Sequence, residues 1–160
     1  MKYFRRGVSQ CKFLPTIASV TAPSQAEITA GTDLTKAVTA IANFTTTVAR
    51  ITQPVLAYTV SPQIAGSQTF GSPQLTMLED NGVSDTDSAA LIAAYTALAD
   101  GVTGYIILSP GTTAATKKGE VWPIIVGANN RDWSTADVMA EYNVDLAVTN
   151  PPTKNATFAA

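Results

Sequence analysis

Between Ala136 and Val148 apolar and polar positions alternate: Val138, Ala140, Tyr142, Val144, Leu146 and Val148 are separated by Met139, Glu141, Asn143, Asp145 and Ala147. Successive side chains of a β-strand point to opposite sides. The spacing therefore predicts a strand with one apolar face and one face that carries two carboxylates and no cation. A sheet buried on one side and wet on the other follows. At about eleven residues the run exceeds the common five or six, which suits the wall of a large sheet or barrel.

Upstream, residues 1–14 show no clear period and read as an extended N-terminal arm. Tyr3, Phe4 and Phe13 argue against a disordered tail, because disordered segments are poor in aromatics. Docking of Tyr3, Phe4, Arg5, Arg6 and Phe13 on the body or on a neighbouring copy is the preferred reading. A single β-rich domain is expected over 15–150. Its first strands are placed at Thr16–Thr21, which Pro23 and Ser24 end, and at Ala26–Thr29. Leu34, Ala37, Val38, Ile41 and Ala42 fall at helical spacing, but the β-branched run from Thr35 to Ile51 favours a turn at Asp33 and then a strand through about Ile51. Pro54, Pro62, Gly66, Gly71 and Pro73 break the pattern over 52–73. Such a long loop in a compact domain is usually functional, and here contact with another subunit is expected, the alternative being a flexible insertion.

Gln74–Glu79 returns as a strand, and a helix is predicted over about 84–100. Ser84 and Asp87 have capping spacing, Gly101 stands where a left-handed terminator belongs, and Leu91, Ala94, Tyr95 and Leu98 line one side. Val102–Leu108 and Val121–Gly127 form a long-looped hairpin. Pro123 donates no ladder hydrogen bond, so its strand lies at an edge or the proline faces away from its partner. Trp122 reads as core or interface. A polar loop from Ala128 to Thr135 leads into the alternating strand, and residues 151–160 read as a C-terminal tail.

The 160 residues suffice for one domain with a real core. Only 14% of them are charged, against about 25% in ordinary soluble domains, so something other than water is expected to cover part of the surface. The charge is also unevenly spread. Lys2, Arg5, Arg6 and Lys12 have no acid among them, so the net −2 resolves into +4 on the arm and −6 on the body. An acidic surface on a neighbouring copy would suit that arm, ahead of nucleic acid.

Catalytic chemistry has little to work with. Cys11 is the single cysteine and there is no histidine, which removes intramolecular disulfides, cysteine-based metal sites and the commonest general base. Glu141 and Asp145 share a strand face, but four residues along a strand is roughly 13 Å, too far for the carboxyl pair of glycoside hydrolysis. Phosphate loops, nucleophile elbows and zinc spacings are missing, and no apolar run reaches the roughly 20 residues of a membrane span. Neither an enzyme nor a cofactor is expected.

Several segments carry a resemblance: Phe4-Arg5-Arg6-Gly7-Val8, Cys11-Lys12-Phe13-Leu14-Pro15-Thr16, Glu27-Ile28, Ala30-Gly31-Thr32-Asp33-Leu34-Thr35, Asp100-Gly101-Val102-Thr103-Gly104-Tyr105 and Glu120-Val121-Trp122-Pro123. In this order they resemble the major tail tube proteins of long, non-contractile-tailed phages, particularly those of actinobacteria. The resemblance implies a mainly β chain, a β-sandwich or partial barrel with one flanking helix. It further implies hexameric rings whose sheets join into a continuous barrel and stack into a tube. Double-stranded DNA would pass through without specific binding, and tape measure, tail terminator and distal tail proteins would be partners. The protein would reside in the virion after assembly in the host cytoplasm, with no membrane contact. Glu141, Asn143 and Asp145 would then be lumen-facing. A capsid decoration protein and a carbohydrate-binding or adhesin module, with Trp122 or Trp133 exposed to sugar, are the alternatives.

Overall fold

The computed structural model describes residues 8–52, 62–80, 87–133 and 139–160. In chain order the elements are β1 (Gln10–Leu14), α1 (Gln25–Ala30), β2 (Thr32–Asp33), β3 (Val38–Ala42), β4 (Thr46–Thr52), β5 (Gln63–Phe70), β6 (Gln74–Leu78), α2 (Ser88–Ala97), β7 (Thr103–Ser109), β8 (Lys118–Arg131), β9 (Glu141–Val148) and β10 (Thr153–Thr157). The chain is mainly β. An eight-stranded antiparallel sheet runs β2-β1-β7-β8-β9-β6-β3 with β10 also on β8, and β4 and β5 form a separate two-stranded ribbon. The large sheet stays open, with β2 and β3 at its edges.

Alternation builds two layers of core. On one face Phe13, Leu75, Met77, Ile106, Trp122, Val126, Tyr142 and Val144 meet Ala94 and Leu98 of α2. On the other face, at the β1–β7–β8 end only, Leu14, Ile107 and Val121 meet Ile28 of α1 together with Ala156 and Phe158. Burying apolar area on both faces at that end, at roughly 25 cal/mol per Å², holds α1 and the C-terminal strand to the sheet. Close approach requires a glycine there: a Cβ on Gly104 would stand 2.6 Å from the Leu14 carbonyl oxygen.

β8 is central and still contains a proline. One edge of β8 pairs with β7, and the other is shared in succession by β9, which reaches Ile124, and β10, which starts at Val121. Pro123 falls at the junction, where its carbonyl accepts from Thr149 N–H at 3.1 Å. A strand residue's N–H and C=O point to the same edge, so the missing donor faces a gap in the ladder. The second of the two sequence readings therefore holds, and the edge reading does not.

Other expectations are corrected. Residues 26–29 are helical, because Ser24 and Glu27 make a capping box: the Glu27 carboxylate accepts Ser24 N–H at 2.8 Å and the Ser24 hydroxyl accepts Glu27 N–H at 3.3 Å. Thr16–Thr21 is not a strand; its Ala18 N–H donates to the Glu27 carboxylate at 2.6 Å. The strand expected through Ile51 is two strands. An Asp33 side chain accepting from Thr35 N–H turns the chain before β3, and Asn43 at φ 61 turns it again before β4.

Residues 63–70, placed in a long loop, form β5, while 53–61 lie outside the described residues. Residues 151–160 are no free tail, since β10 pairs with β8 and Phe158 is buried. The arm is shorter than expected. Gln10–Leu14 is an interior strand and Phe13 is 3% exposed, so Phe13 holds the core and is not available to a neighbouring copy. The helix keeps its place as α2, Gly101 adopts φ 78 where the chain turns toward β7, and Ser84 lies outside the described residues.

Candidate functional site

Three surfaces are left uncovered by this fold. The first is the polar face of β9. Tyr142, Val144 and Leu146 point into the core, which turns Glu141, Asn143 and Asp145 to the other side. Across the ladder these three oppose Leu78, Thr76 and Gln74 of β6. On the β8 side Asn130 opposes Asn143 and Ala128 opposes Asp145, after a register shift at Gly127. Beyond β6, Ala40 and Ala42 of β3 continue the surface.

Gln74 Nε2 donates to Asp145 Oδ1 at 2.7 Å and Thr76 Oγ1 donates to Asn143 Oδ1 at 3.0 Å, so side chains tie β6 to β9 across this face. No lysine or arginine stands among these cross-strand partners. Such a face can repel a polyanion and accept hydrogen bonds; it holds no nucleophile beside a base. Glu141, Asn143 and Asp145 share one face of β9, as the alternation predicts, while the continuation of that face across β6, β8 and β3 came from pairing.

The second surface is the β4–β5 ribbon. Ile51 and Ile64 are cross-strand partners and are 51% and 46% exposed, with Val48 41% exposed nearby. The third is a pocket between α2 and the far end of β8 and β9, lined by Glu79, Asp80, Leu91, Ile92, Tyr95, Arg131 and Tyr142. Arg131 pairs with Glu79 at 3.0 Å and lies over the rings of Tyr95 and Trp133 at 5.0 and 5.9 Å. Tyr95 meets Tyr142 edge-on at 5.2 Å. The Tyr142 hydroxyl is buried without a hydrogen-bond partner, and burial raises its pKa. Sequence reasoning missed this pocket; the available signal was Ile92 and Tyr95 on a helix whose core side needs only Ala94 and Leu98.

Of the other residues singled out, Trp122 is core, with Nε1 donating to Glu120 at 2.8 Å, whereas Trp133 is 80% exposed. Cys11 is buried and its thiol is pushed up to about 12, chiefly by desolvation and then by Asp33. Tyr3, Phe4, Arg5 and Arg6 lie outside the described residues. Among the described residues no group of three or more His, Cys, Asp or Glu side chains could hold a metal ion, and no helix is long and apolar enough to cross a membrane.

Two solved structures share the fold at low identity. The chain superposes on a protein of the anti-feeding prophage baseplate, reconstructed with 6-fold symmetry, with a TM-score of 0.54 at 9% identity, covering 96% of this chain and 97% of that one. It superposes on a tail protein from empty gene transfer agent (GTA) particles, refined helically with C6 symmetry, with a TM-score of 0.50 at 9% identity, covering 98% and 100%. No curated protein matches its sequence. The family model described as phage tail tube protein matches residues 1–160, and the chain belongs to that family.

Proposed function

We propose that six copies of this chain close into a ring, that rings stack into the tail tube of a long, non-contractile-tailed phage of actinobacteria, and that the genome passes along a lumen lined by Glu141, Asn143 and Asp145. The observation that carries the reading is the polar face of β9, which bears two carboxylates and whose cross-strand neighbours on β6, β8 and β3 are uncharged. A cationic lining would neutralise phosphates, release counterions and hold the DNA. A conduit works by not binding its cargo. Family membership supports the tube, and the 6-fold and C6 symmetry of the two structural neighbours supports the ring number.

Open edges at β2 and β3 support joining of sheets between copies, since unpaired edges otherwise invite aggregation. The β4–β5 ribbon, with residues 52–73, supplies a further contact between subunits. Tape measure, tail terminator and distal tail proteins complete the assembly, which takes place in the host cytoplasm and ends in the virion. The chain acts by assembly and performs no catalysis.

Replacing Glu141 and Asp145 together by lysine in the phage tests the lumen. Tubes of normal width should still form by electron microscopy, and genome delivery should slow or stop. Unchanged infectivity with normal tubes would overturn the lumen assignment, and loss of tubes would place the face in a subunit contact instead.

A further inference from the structure

The pocket between α2 and the end of β8 has the composition of a receptor. Around it stand exposed apolar side chains, Ile92 at 53% and Trp133 at 80%, and Met139 at 70% precedes the Ala140 carbonyl that accepts Glu79 N–H. Its lining holds Glu79 and Asp80 against one cation, Arg131, and Asp132 adjoins it. Tyr142, whose buried hydroxyl has no hydrogen-bond partner, is one of the lining residues. A tyrosine oxygen can accept from an N–H, and a carboxylate that already has one partner has room for another. The matching ligand is a short segment with aromatic side chains and guanidinium groups.

This chain contains one. Residues 1–7 bring Lys2, Tyr3, Phe4, Arg5 and Arg6 without an acid. Arginine suits the carboxylates by charge-assisted, bidentate hydrogen bonds, and the aromatic rings suit Ile92, Tyr95 and Trp133.

A chain cannot serve its own pocket. The arm joins β1 at Gln10, which opposes Ser109, next to the Leu108–Glu120 pair. The pocket is at Arg131, and Glu120 to Arg131 spans roughly 35 Å along β8 at about 3.3 Å per residue. Fully extended, Phe4 to Gln10 covers at most about 20 Å. The direction is also wrong. β1 runs with Leu14 opposite Tyr105 and Gln10 opposite Ser109, so the chain traced back from Gln10 heads away from Arg131.

We infer that the N-terminal arm of one copy docks, through Phe4, Arg5 and Arg6, in the Ile92–Tyr95–Tyr142 pocket of the next copy, with Asp80 and Glu79 receiving the guanidinium groups. The attachment of the arm at Gln10 and the receptor lie at opposite ends of the sheet, so the contact is head-to-tail, the kind that repeats from copy to copy. The inference rests on the self-assembly proposed above and names the pair of surfaces that carries part of it.

The test uses full-length chains with single new cysteines, since buried Cys11 is not reactive at neutral pH. Phe4→Cys chains are mixed with Ile92→Cys chains under oxidising conditions, resolved on a non-reducing gel, and inspected by electron microscopy. A disulfide-linked heterodimer is expected, and Phe4→Cys with the distant Thr112→Cys should stay uncrosslinked. Equal crosslinking to both sites would overturn the inference. So would an intrachain disulfide in the Phe4→Cys/Ile92→Cys double variant at dilution. Tubes that form without the crosslink would overturn the docking and leave the tube reading standing, whereas crosslinked chains that never form tubes would support the docking and count against the tube.

Discussion

The large sheet and the β4–β5 ribbon are made from similar residues and end in opposite states. β8 and β9 bury Trp122, Ile124, Val126, Tyr142, Val144 and Leu146 to 4% exposure or less, because α2 and neighbouring strands cover them. The ribbon has isoleucine, valine and threonine as well, yet almost every residue of β4 and β5 is exposed. β-Propensity formed both ladders; only one found a partner layer. A two-stranded ribbon is marginal in water by itself. The sheet secures the protomer, while the ribbon is the surface proposed above for contact between subunits.

Core truncation should break this comparison on the sheet side with the largest effect. Trp122→Ala removes a fully buried ring that also contacts Phe44 edge-on at 5.2 Å. A loss of about 3–5 kcal/mol in denaturant unfolding is expected, with tube formation lost as a consequence. A loss below about 1 kcal/mol, the level of an ordinary surface change, would mean the side chain is not in the core.

On the ribbon side the signs should invert. Ile51→Asp with Ile64→Asp should leave protomer unfolding within about 0.5 kcal/mol, as surface substitutions do, and should stop or strongly reduce tube formation seen by electron microscopy. Tubes as abundant as those of the unaltered chain would show that the ribbon contributes nothing to assembly.

The smallest effect concerns the attachment of α1 and sharpens the sheet side. The Glu27 carboxyl is held below its ordinary 4.5 first by Ser24 N–H, then by Ala18 N–H and by the Ser24 hydroxyl. A folded pKa below the unfolded value stabilises above the unfolded pKa, and that contribution disappears as pH falls through the lowered folded value. Glu27→Gln should therefore be less stable than the unaltered chain at neutral pH, with the difference narrowing once the pH drops below about 4.5. Thermal melts across that range would show it, and a gap independent of pH would remove the carboxylate from the account.

Legibility followed the range of the interactions. The alternation of β9 is local, so its two faces could be read directly, and α2 was visible from apolar spacing. α1 was also legible: Ser24 and Glu27 are spaced as a capping box, and reading Ala26–Thr29 by β-propensity passed over it. Thr16–Thr21 has strand residues, but both edges of β1 are taken by β2 and β7, a fact that depends on pairing between distant segments. Pro123 left an edge strand and a proline facing away from its partner both open, because the junction between β9 and β10 cannot be seen until both are placed. The pocket around Tyr142 required residues from α2, β8, β9 and the segment that follows β6 to converge.

What the amino-acid sequence determined alone was the mainly β character, the acidic face of the alternating strand, the one strong helix and the concentration of cations at the N-terminus. These rest on side-chain period and charge, each set within a few residues. The tertiary structure decided which strands share an edge, that Phe13 and Phe158 are core, that residues 63–70 pair as a ribbon and that the start of β1 and the Tyr142 pocket lie at opposite ends. Those depend on pairing between residues far apart in the chain, where register and coverage are chosen by the whole core and by no local preference.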